Sequence, residues 1–264
     1  MEELVRVPPE VRERFAVRFG AGAGGWCDEL PGLVGELAGR WGLEVLAAGG
    51  GGTSRVFRCG RGGGGGAVWL KLTPEPAIAR EEAEALRAWA AVPSVVPLLA
   101  ADLPAGALLL ADVSPGTRVR QLGWQLPEVA VLLRELRSSA VPAEESVLRP
   151  LAHRVGFVFD LAERRGRTGL AEHRAAALEL AATGPTGLVH GDLHPSNVLV
   201  GSGGRLVAID PRPSWGDPDF DAVDWVLEGP GTLERRVTDL AALVPGLSPD
   251  RLHAWCRALA PLSG

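Results

Sequence analysis

Tyrosine is absent from the 264 residues, methionine occurs once, and there is a single lysine, Lys71, and a single asparagine, Asn197. Lysine, asparagine, isoleucine and tyrosine codons begin with two A/T bases, so a GC-rich coding sequence depletes all four. The abundance of glycine, alanine, arginine and proline fits the same drift. Such a drift spares a lysine or asparagine whose chemistry arginine or aspartate cannot supply, whereas chance survivors would fall at arbitrary places. Where Lys71 and Asn197 sit therefore carries information.

Other absences narrow the function. The three cysteines, Cys27, Cys59 and Cys256, stand far apart with no CxxC, which excludes a disulfide framework and a zinc site. A reduced, cytoplasmic setting follows as the expectation. No run of 18 apolar residues exists, so no transmembrane helix and no membrane partner are expected. The opening MEELVRVPPEVRERF has no apolar core of a signal peptide, so export is not expected. Basic residues number 27 against 32 acidic, which argues against a nucleic-acid partner. There is no GxxxxGK[ST], which excludes a P-loop NTPase.

What is present reads as two regions. Residues 43–72 form three short strands, Leu43 to Ala48, Ser54 to Cys59 and Ala67 to Leu72, separated by glycine turns as in an antiparallel meander. Pro76 to Ala91 has the apolar spacing of a helix. Val95 to Ala100 and Ala107 to Val113 complete a five-stranded sheet, and Ser114-Pro115-Gly116 ends it. Beyond that point the chain is mainly helical: Pro127 to Ser138, Glu144 to Arg165, Gly169 to Thr183, Pro218 to Leu227, Leu233 to Val244 and Pro249 to Leu259. A hairpin of Asn197 to Val200 and Leu206 to Asp210 interrupts the helices. Residues 1–112 are thus expected to form a β-rich nucleotide-binding lobe and residues 113–264 a helical catalytic and substrate-binding lobe.

The chemistry concentrates in His190-Gly191-Asp192-Leu193-His194-Pro195-Ser196-Asn197, with Ile209-Asp210 one hairpin later. Phosphoryl transfer from ATP needs a carboxylate to orient the attacking hydroxyl and accept its proton. It also needs an amide and a second carboxylate to hold Mg²⁺ on the phosphates. Asp192 suits the first role, and Asn197 with Asp210 the second. The plainer reading, a hairpin with turn-forming Asp and Asn, does not account for the length and order of the pattern. Lys71, on the third strand, can reach phosphates as a compact charge. It needs a carboxylate from the next helix, and Glu82 shares a face with Leu86 and Trp89, whereas Glu81 and Glu84 point nearer solvent. Both rare residues therefore fall at phosphoryl-transfer positions. The turn Gly49 to Thr53, including Gly51 and Thr53, can cover phosphates with backbone N–H groups.

With these residues the chain resembles the aminoglycoside phosphotransferases, relatives of the protein kinases. HGDLHPSNVLV resembles their catalytic loop, Ile209-Asp210 their metal-binding aspartate, and IDPRPSWGDPDFDAVDWVLEG the streptomycin 6-phosphotransferase and hydroxyurea phosphotransferase branch. The resemblance spans about residues 40–230. It implies a bilobal α+β kinase-like fold with an ATP cleft between the lobes. It makes Asp192 the catalytic base, Asn197 and Asp210 magnesium ligands, and Lys71 with Glu82 the phosphate-anchoring pair. Ala111 and Val113 become the strand end whose backbone meets adenine, and His190 a support for the loop. His194 stands where protein kinases often have lysine. The segment after Asp210 is short and lacks Ala-Pro-Glu, so a peptide substrate is excluded and a small, hydroxylated or cationic one implied.

Asp217, Asp219, Asp221, Asp224 and Glu228 crowd into twelve residues. They offer a negative surface for a cationic aminocyclitol. Asp217, Asp219 and Asp221 equally suit the start of a helix beginning at Pro218. Asp224 and Glu228, four apart on one face, remain the substrate candidates. The expectation is a monomeric ATP- and Mg²⁺-dependent kinase of a streptomycin-type antibiotic, with hydroxyurea or another small metabolite as the alternative acceptor. A non-catalytic nucleotide-binding module is the alternative of another class, and the intact Lys71, Asp192, Asn197 and Asp210 set argues against it.

Overall fold

A computed structural model describes residues 2–20, 22–50, 52–139 and 146–262. By contact the chain divides into one unit of residues 1–83 and 96–112 and a second of residues 84–95 and 113–264. The division passes through a helix, so residues 84–95, which the sequence groups with the β-rich region, belong to the second unit.

The first unit is built on a five-stranded antiparallel sheet of β1 (Leu43–Gly50), β2 (Arg55–Arg61), β3 (Gly65–Leu72), β4 (Leu98–Asp102) and β5 (Ala107–Ala111). Its order is β1-β2-β3-β5-β4. The strand expected from Val95 thus begins three residues later, at Leu98. Alternation sets the register: Phe57, Cys59, Val68, Leu70 and Leu72 point into one apolar core. Three helices of the N-terminal segment, α1 (Glu2–Val5), α2 (Pro9–Phe19) and α3 (Ala23–Trp41), complete that core with Val11, Phe15, Cys27, Leu30, Val34 and Leu37. The helix α4 (Pro76–Ala88) follows β3.

In the second unit two short three-stranded sheets frame the loops. One pairs Leu206–Ala208, Val198–Val200 and Thr117–Arg118. The other pairs Arg149–Pro150, Ser214–Gly216 and Gly187–Val189. Helices Leu126–Arg137, Leu151–Arg164, Ala171–Thr183, Leu233–Leu243 and Pro249–Leu259 surround them. Trp89, Phe159, Trp225 and Trp255 are among the largest fully buried side chains. The start expected at Glu144 lies outside the described residues; within them the helix begins at Leu151, because Arg149–Pro150 pairs as a strand with Ser214 and Trp215. The helix expected from Pro218 is a 3₁₀ turn to Ala222 before five α-helical residues, Val223–Leu227. No described helix is long and apolar enough to cross a membrane.

Candidate active site

In the first unit Lys71 lies in the middle of β3, paired with Val56 on β2 and Leu108 on β5. A central strand is held on both sides, so the side chain leaves from a fixed backbone. Its Nζ donates to both oxygens of Glu82 on α4, at 2.7 and 2.6 Å. Lys71 is 5% exposed and Glu82 1%. Each charge alone would cost several kcal/mol to bury, and the bidentate contact offsets that cost. Glu82 faces inward because Ala79, Ala83 and Leu86 on the same helix are buried. Thr53 is buried in the turn after β1, while Gly51 lies outside the described residues.

Ala111 ends β5, where its N–H donates to the carbonyl of Pro97 at 3.0 Å. Asp112, the next residue, accepts the indole N–H of Trp69 at 2.8 Å. Val113 is half-buried and opens the second unit.

The segment His190–Asn197 of the second unit is held by a set of contacts to its backbone. Asp221 accepts the N–H groups of His190 and Gly191 at 2.6 and 2.9 Å. His190 is fully buried. Its Nδ1 accepts from the Asp192 N–H at 3.3 Å and its Nε2 lies 3.2 Å from the Ile209 carbonyl. This arrangement is that of a neutral imidazole, and burial lowers its pKa to about 4. Burial likewise raises Asp221 to about 7, against the lowering pull of the two N–H groups it accepts. Gly191 has φ +75°, and a Cβ there would meet the Arg212 carbonyl at 2.1 Å. Only glycine fits that approach. His190 and the Ile209-to-Arg212 turn are thus tied together, with the Arg212 N–H donating to the His190 carbonyl at 2.8 Å.

Asp192 projects from this frame with its side chain 29% exposed. Its Oδ1 accepts from Arg154 Nη2 at 2.6 Å, and Arg154 Nε donates to the Gly191 carbonyl at 2.8 Å. Its Oδ2 accepts from Asn197 Nδ2 at 3.1 Å, and the same Nδ2 donates to the Asp192 carbonyl at 3.1 Å. The amide nitrogen of Asn197 is therefore engaged, and its Oδ1 is the atom available to a cation. Asp210 follows with φ 55°, a left-handed conformation uncommon outside glycine. Strained backbone of this kind clusters at functional positions. Its Oδ1 lies 3.5 Å from Arg212 Nη2. An amide oxygen and a carboxylate are hard donors of the kind Mg²⁺ takes, so the residues fit the ion.

Three of the five acidic residues are turned inward. Asp217 accepts from Arg251 Nε, from Trp255 Nε1 at 2.7 Å and from the Asp219 N–H at 2.9 Å. Asp219 accepts from Arg137 Nη2 at 2.5 Å and from the Ser248 N–H at 3.2 Å. Asp221 holds the loop. Glu228 is exposed but pairs with Arg120 Nη1 through both oxygens, at 2.7 and 2.8 Å. Asp224 is exposed and, alone of the five, has no hydrogen bond or ion pair among the described residues. Surrounding protein raises its pKa, His194 lowers it, and the charges of Asp192 and Glu228 both reach it. Trp215 donates to Ser146 Oγ at 3.0 Å, and Trp225 packs edge-on to Trp124 at 5.5 Å. A pocket of about 390 Å³ opens beside that pair, lined also by Glu228, Arg235, Arg236 and Asp239.

The sequence reading missed Arg154. Its signal was present: Leu151, Val155, Phe159 and Ala162 mark the buried face of the helix, and position 154 falls on that stripe. A charged residue there needs a partner, but sequence spacing did not say which.

A protein-family model described as "Aminoglycoside/hydroxyurea antibiotic resistance kinase" matches residues 42–264. A hydroxyurea phosphotransferase of Kitasatospora aureofaciens is 35% identical over 96% of this chain and 77% of its own length. A streptomycin 6-kinase of Streptomyces glaucescens is 32% identical over 96% of this chain and 88% of its own. Among solved structures, choline kinase LicA from Streptococcus pneumoniae superposes with a TM-score of 0.64 at 17% identity, covering 88% of this chain and 87% of that one. Aminoglycoside phosphotransferase APH(4)-Ia, in a ternary complex with ADP and hygromycin B, superposes at 0.54 and 18% identity over 86% and 88%. The fold is the bilobal α+β, kinase-like fold.

Proposed function

Because the chain belongs to the aminoglycoside/hydroxyurea antibiotic resistance kinase family, we propose that it transfers the γ-phosphate of ATP to a hydroxyl of a streptomycin-type aminoglycoside and so inactivates the drug. The single observation that carries this reading is the arrangement of Asp192 and Asn197 on one loop. The carboxylate is fixed through Oδ1, its Oδ2 accepts the Asn197 amide and keeps a second lone pair for an acceptor hydroxyl, and Asn197 Oδ1 is left for a cation.

In this reading Lys71, held by Glu82, anchors the α- and β-phosphates. The turn containing Thr53 and Gly51 covers the phosphates, and the backbone at Ala111 and Val113 meets the base. Asn197 and Asp210 hold Mg²⁺, which when bound neutralises charge on the phosphates. Asp192 orients the acceptor hydroxyl. As the oxygen–phosphorus bond forms and the bond to ADP breaks, the hydroxyl proton passes to Asp192 Oδ2. Asp224 receives a cationic group of the acceptor, and the pocket beside Trp124 takes a ring of it.

Hydroxyurea is the second reading. It is favoured by the engagement of four of the five clustered carboxylates in hydrogen bonds within the protein and by the 35% identical relative. The test is ADP release from MgATP by the purified protein with streptomycin, other aminoglycosides and hydroxyurea, each against Asp192→Asn. A streptomycin-dependent signal lost in the variant supports the proposal. A hydroxyurea-dependent signal alone replaces the acceptor, and equal signals from wild type and variant contradict the reading.

A further inference from the structure

Arg154 stands in the first turn of the helix Leu151–Arg164 and belongs to its inner face, beside Leu151, Val155 and Phe159. Its side chain is 14% exposed. A guanidinium does not lose its proton in a protein, so this is a permanent charge taken largely out of water. Three contacts define its place. Nη2 donates to Asp192 Oδ1 at 2.6 Å, Nε donates to the Gly191 carbonyl at 2.8 Å, and Cζ lies 5.7 Å from the centre of the Phe157 ring. The two hydrogen bonds grip consecutive residues of the loop. They differ in kind: one holds the backbone, and the other holds the functional carboxylate itself.

The rest of the loop makes the second contact matter. His194 stands two residues beyond Asp192, and its Nδ1 accepts from the Ser196 N–H at 3.2 Å. Its Nε2 is 3.9 Å from Asp192 Oδ2, beyond hydrogen-bond distance. Asn197 reaches Oδ2 only at 3.1 Å with an uncharged donor that also serves the Asp192 carbonyl. Among the described residues, the hydrogen bond to the Asp192 carboxylate that has charge on both donor and acceptor is that from Arg154, and such bonds are the shorter and stronger kind. With Oδ1 fixed, rotation about the Cβ–Cγ bond is stopped, and Oδ2 keeps one direction.

We propose that Arg154 is a positioning residue for the phosphoryl transfer: its guanidinium fixes the Asp192 carboxylate so that Oδ2 faces the acceptor hydroxyl. The inference rests on the reading of Asp192 given above and adds to it a residue from a helix distant in the sequence. Misplacing a base by about 1 Å can cost on the order of 100-fold in rate.

The test measures ADP release from MgATP with streptomycin, with hydroxyurea and with water alone as acceptor. It compares wild type with Arg154→Ala, Arg154→Lys and Asp192→Asn, with thermal unfolding followed for each. Arg154→Ala is expected to lower kcat about 100-fold with the KM for ATP unchanged. Guanidinium chloride at millimolar concentration restores part of the rate to Arg154→Ala and nothing to Asp192→Asn. Arg154→Lys, which keeps the charge and one of the two hydrogen bonds, falls between wild type and Arg154→Ala. A wild-type kcat in Arg154→Ala overturns the proposal. So does a loss of kcat that guanidinium and lysine leave untouched and that follows a fall in melting temperature, since that marks a fold defect. If Arg154→Ala does not fold, Arg154→Lys decides: a reduced kcat at unchanged melting temperature supports the role, and a wild-type kcat removes it. Turnover retained by Asp192→Asn overturns the phosphotransfer reading and this proposal with it. Turnover lost there but kept in Arg154→Ala overturns only the proposal.

Discussion

Two segments of the second unit use their carboxylates in opposite ways. The loop His190–Asn197 carries one carboxylate, and it points outward from a backbone whose polar groups are satisfied elsewhere. The segment Asp217–Glu228 carries five, and three of them point inward. Asp217, Asp219 and Asp221 gather donors from Arg251, Trp255, Arg137, Ser248, His190 and Gly191. The buried carboxylates act as struts: Asp221 holds the backbone of the loop at His190 and Gly191, and Asp217 and Asp219 tie neighbouring helices together. Acidic density in a sequence is therefore a poor guide to where a cation binds. The deciding quantity is how many of a carboxylate's lone pairs the protein has already filled.

The largest effect expected from breaking this contrast is at Asp217. Asp217→Ala leaves an arginine, an indole N–H and a backbone N–H without their acceptor. The loss of a buried ion pair partner costs about 3 to 5 kcal/mol. Urea unfolding should show that loss, and the KM values of the surviving folded fraction should stay unchanged.

At Asp221 the contrast takes a pH-dependent form. Its folded pKa of about 7 lies above the ordinary carboxylate value of 3.8, so its contribution is greatest at low pH and is lost as pH rises between about 4 and 7. His190, lowered from 6.5 to about 4, works the other way: its contribution is present above 6.5 and lost as pH falls toward 4. In the wild type the two slopes oppose each other. Asp221→Asn removes one of them, so the variant's stability deficit should shrink as pH rises from 4.5 to 7.5, by up to a few kcal/mol. Unfolding midpoints at those two pH values check it, and an equal deficit at both would contradict the assignment.

Asp224 sharpens the comparison from the other side. It has no internal partner to lose, so Asp224→Asn should leave the melting temperature unchanged and raise the KM for a cationic acceptor about tenfold, roughly 1.4 kcal/mol. The KM for ATP should not move. The smallest effect is at Glu228. Its exposed pair with Arg120 contributes little to stability, and Glu228→Gln should change the melting temperature and the KM for ATP by less than the error of the assay.

The sequence made some of this legible for identifiable reasons. Lys71 and Asn197 stand out because compositional drift has removed every other lysine and asparagine. The Lys71–Glu82 contact follows from helix periodicity, since Glu82 shares a face with Leu86 and Trp89 and both are buried. The helix α3 was hidden. Gly24, Gly25, Pro31 and Gly32 disfavour a helix locally, so no element is read there, and only the spacing of Cys27, Leu30, Val34 and Leu37 along the sheet's core makes a helix worth forming. The partners of the acidic segment were hidden too. Arg137 and Arg251 come from helices 82 and 34 residues away, and no local pattern names them. Arg154 was obscured in the same way, 38 residues from the carboxylate it holds.

The most direct measurement is the rate of ADP release from MgATP in the presence of streptomycin, for wild type and Asp192→Asn side by side, with nucleotide binding measured on both. The account predicts a streptomycin-dependent rate in the wild type that falls by at least about 100-fold in the variant while ATP still binds. Equal rates in the two proteins would contradict it.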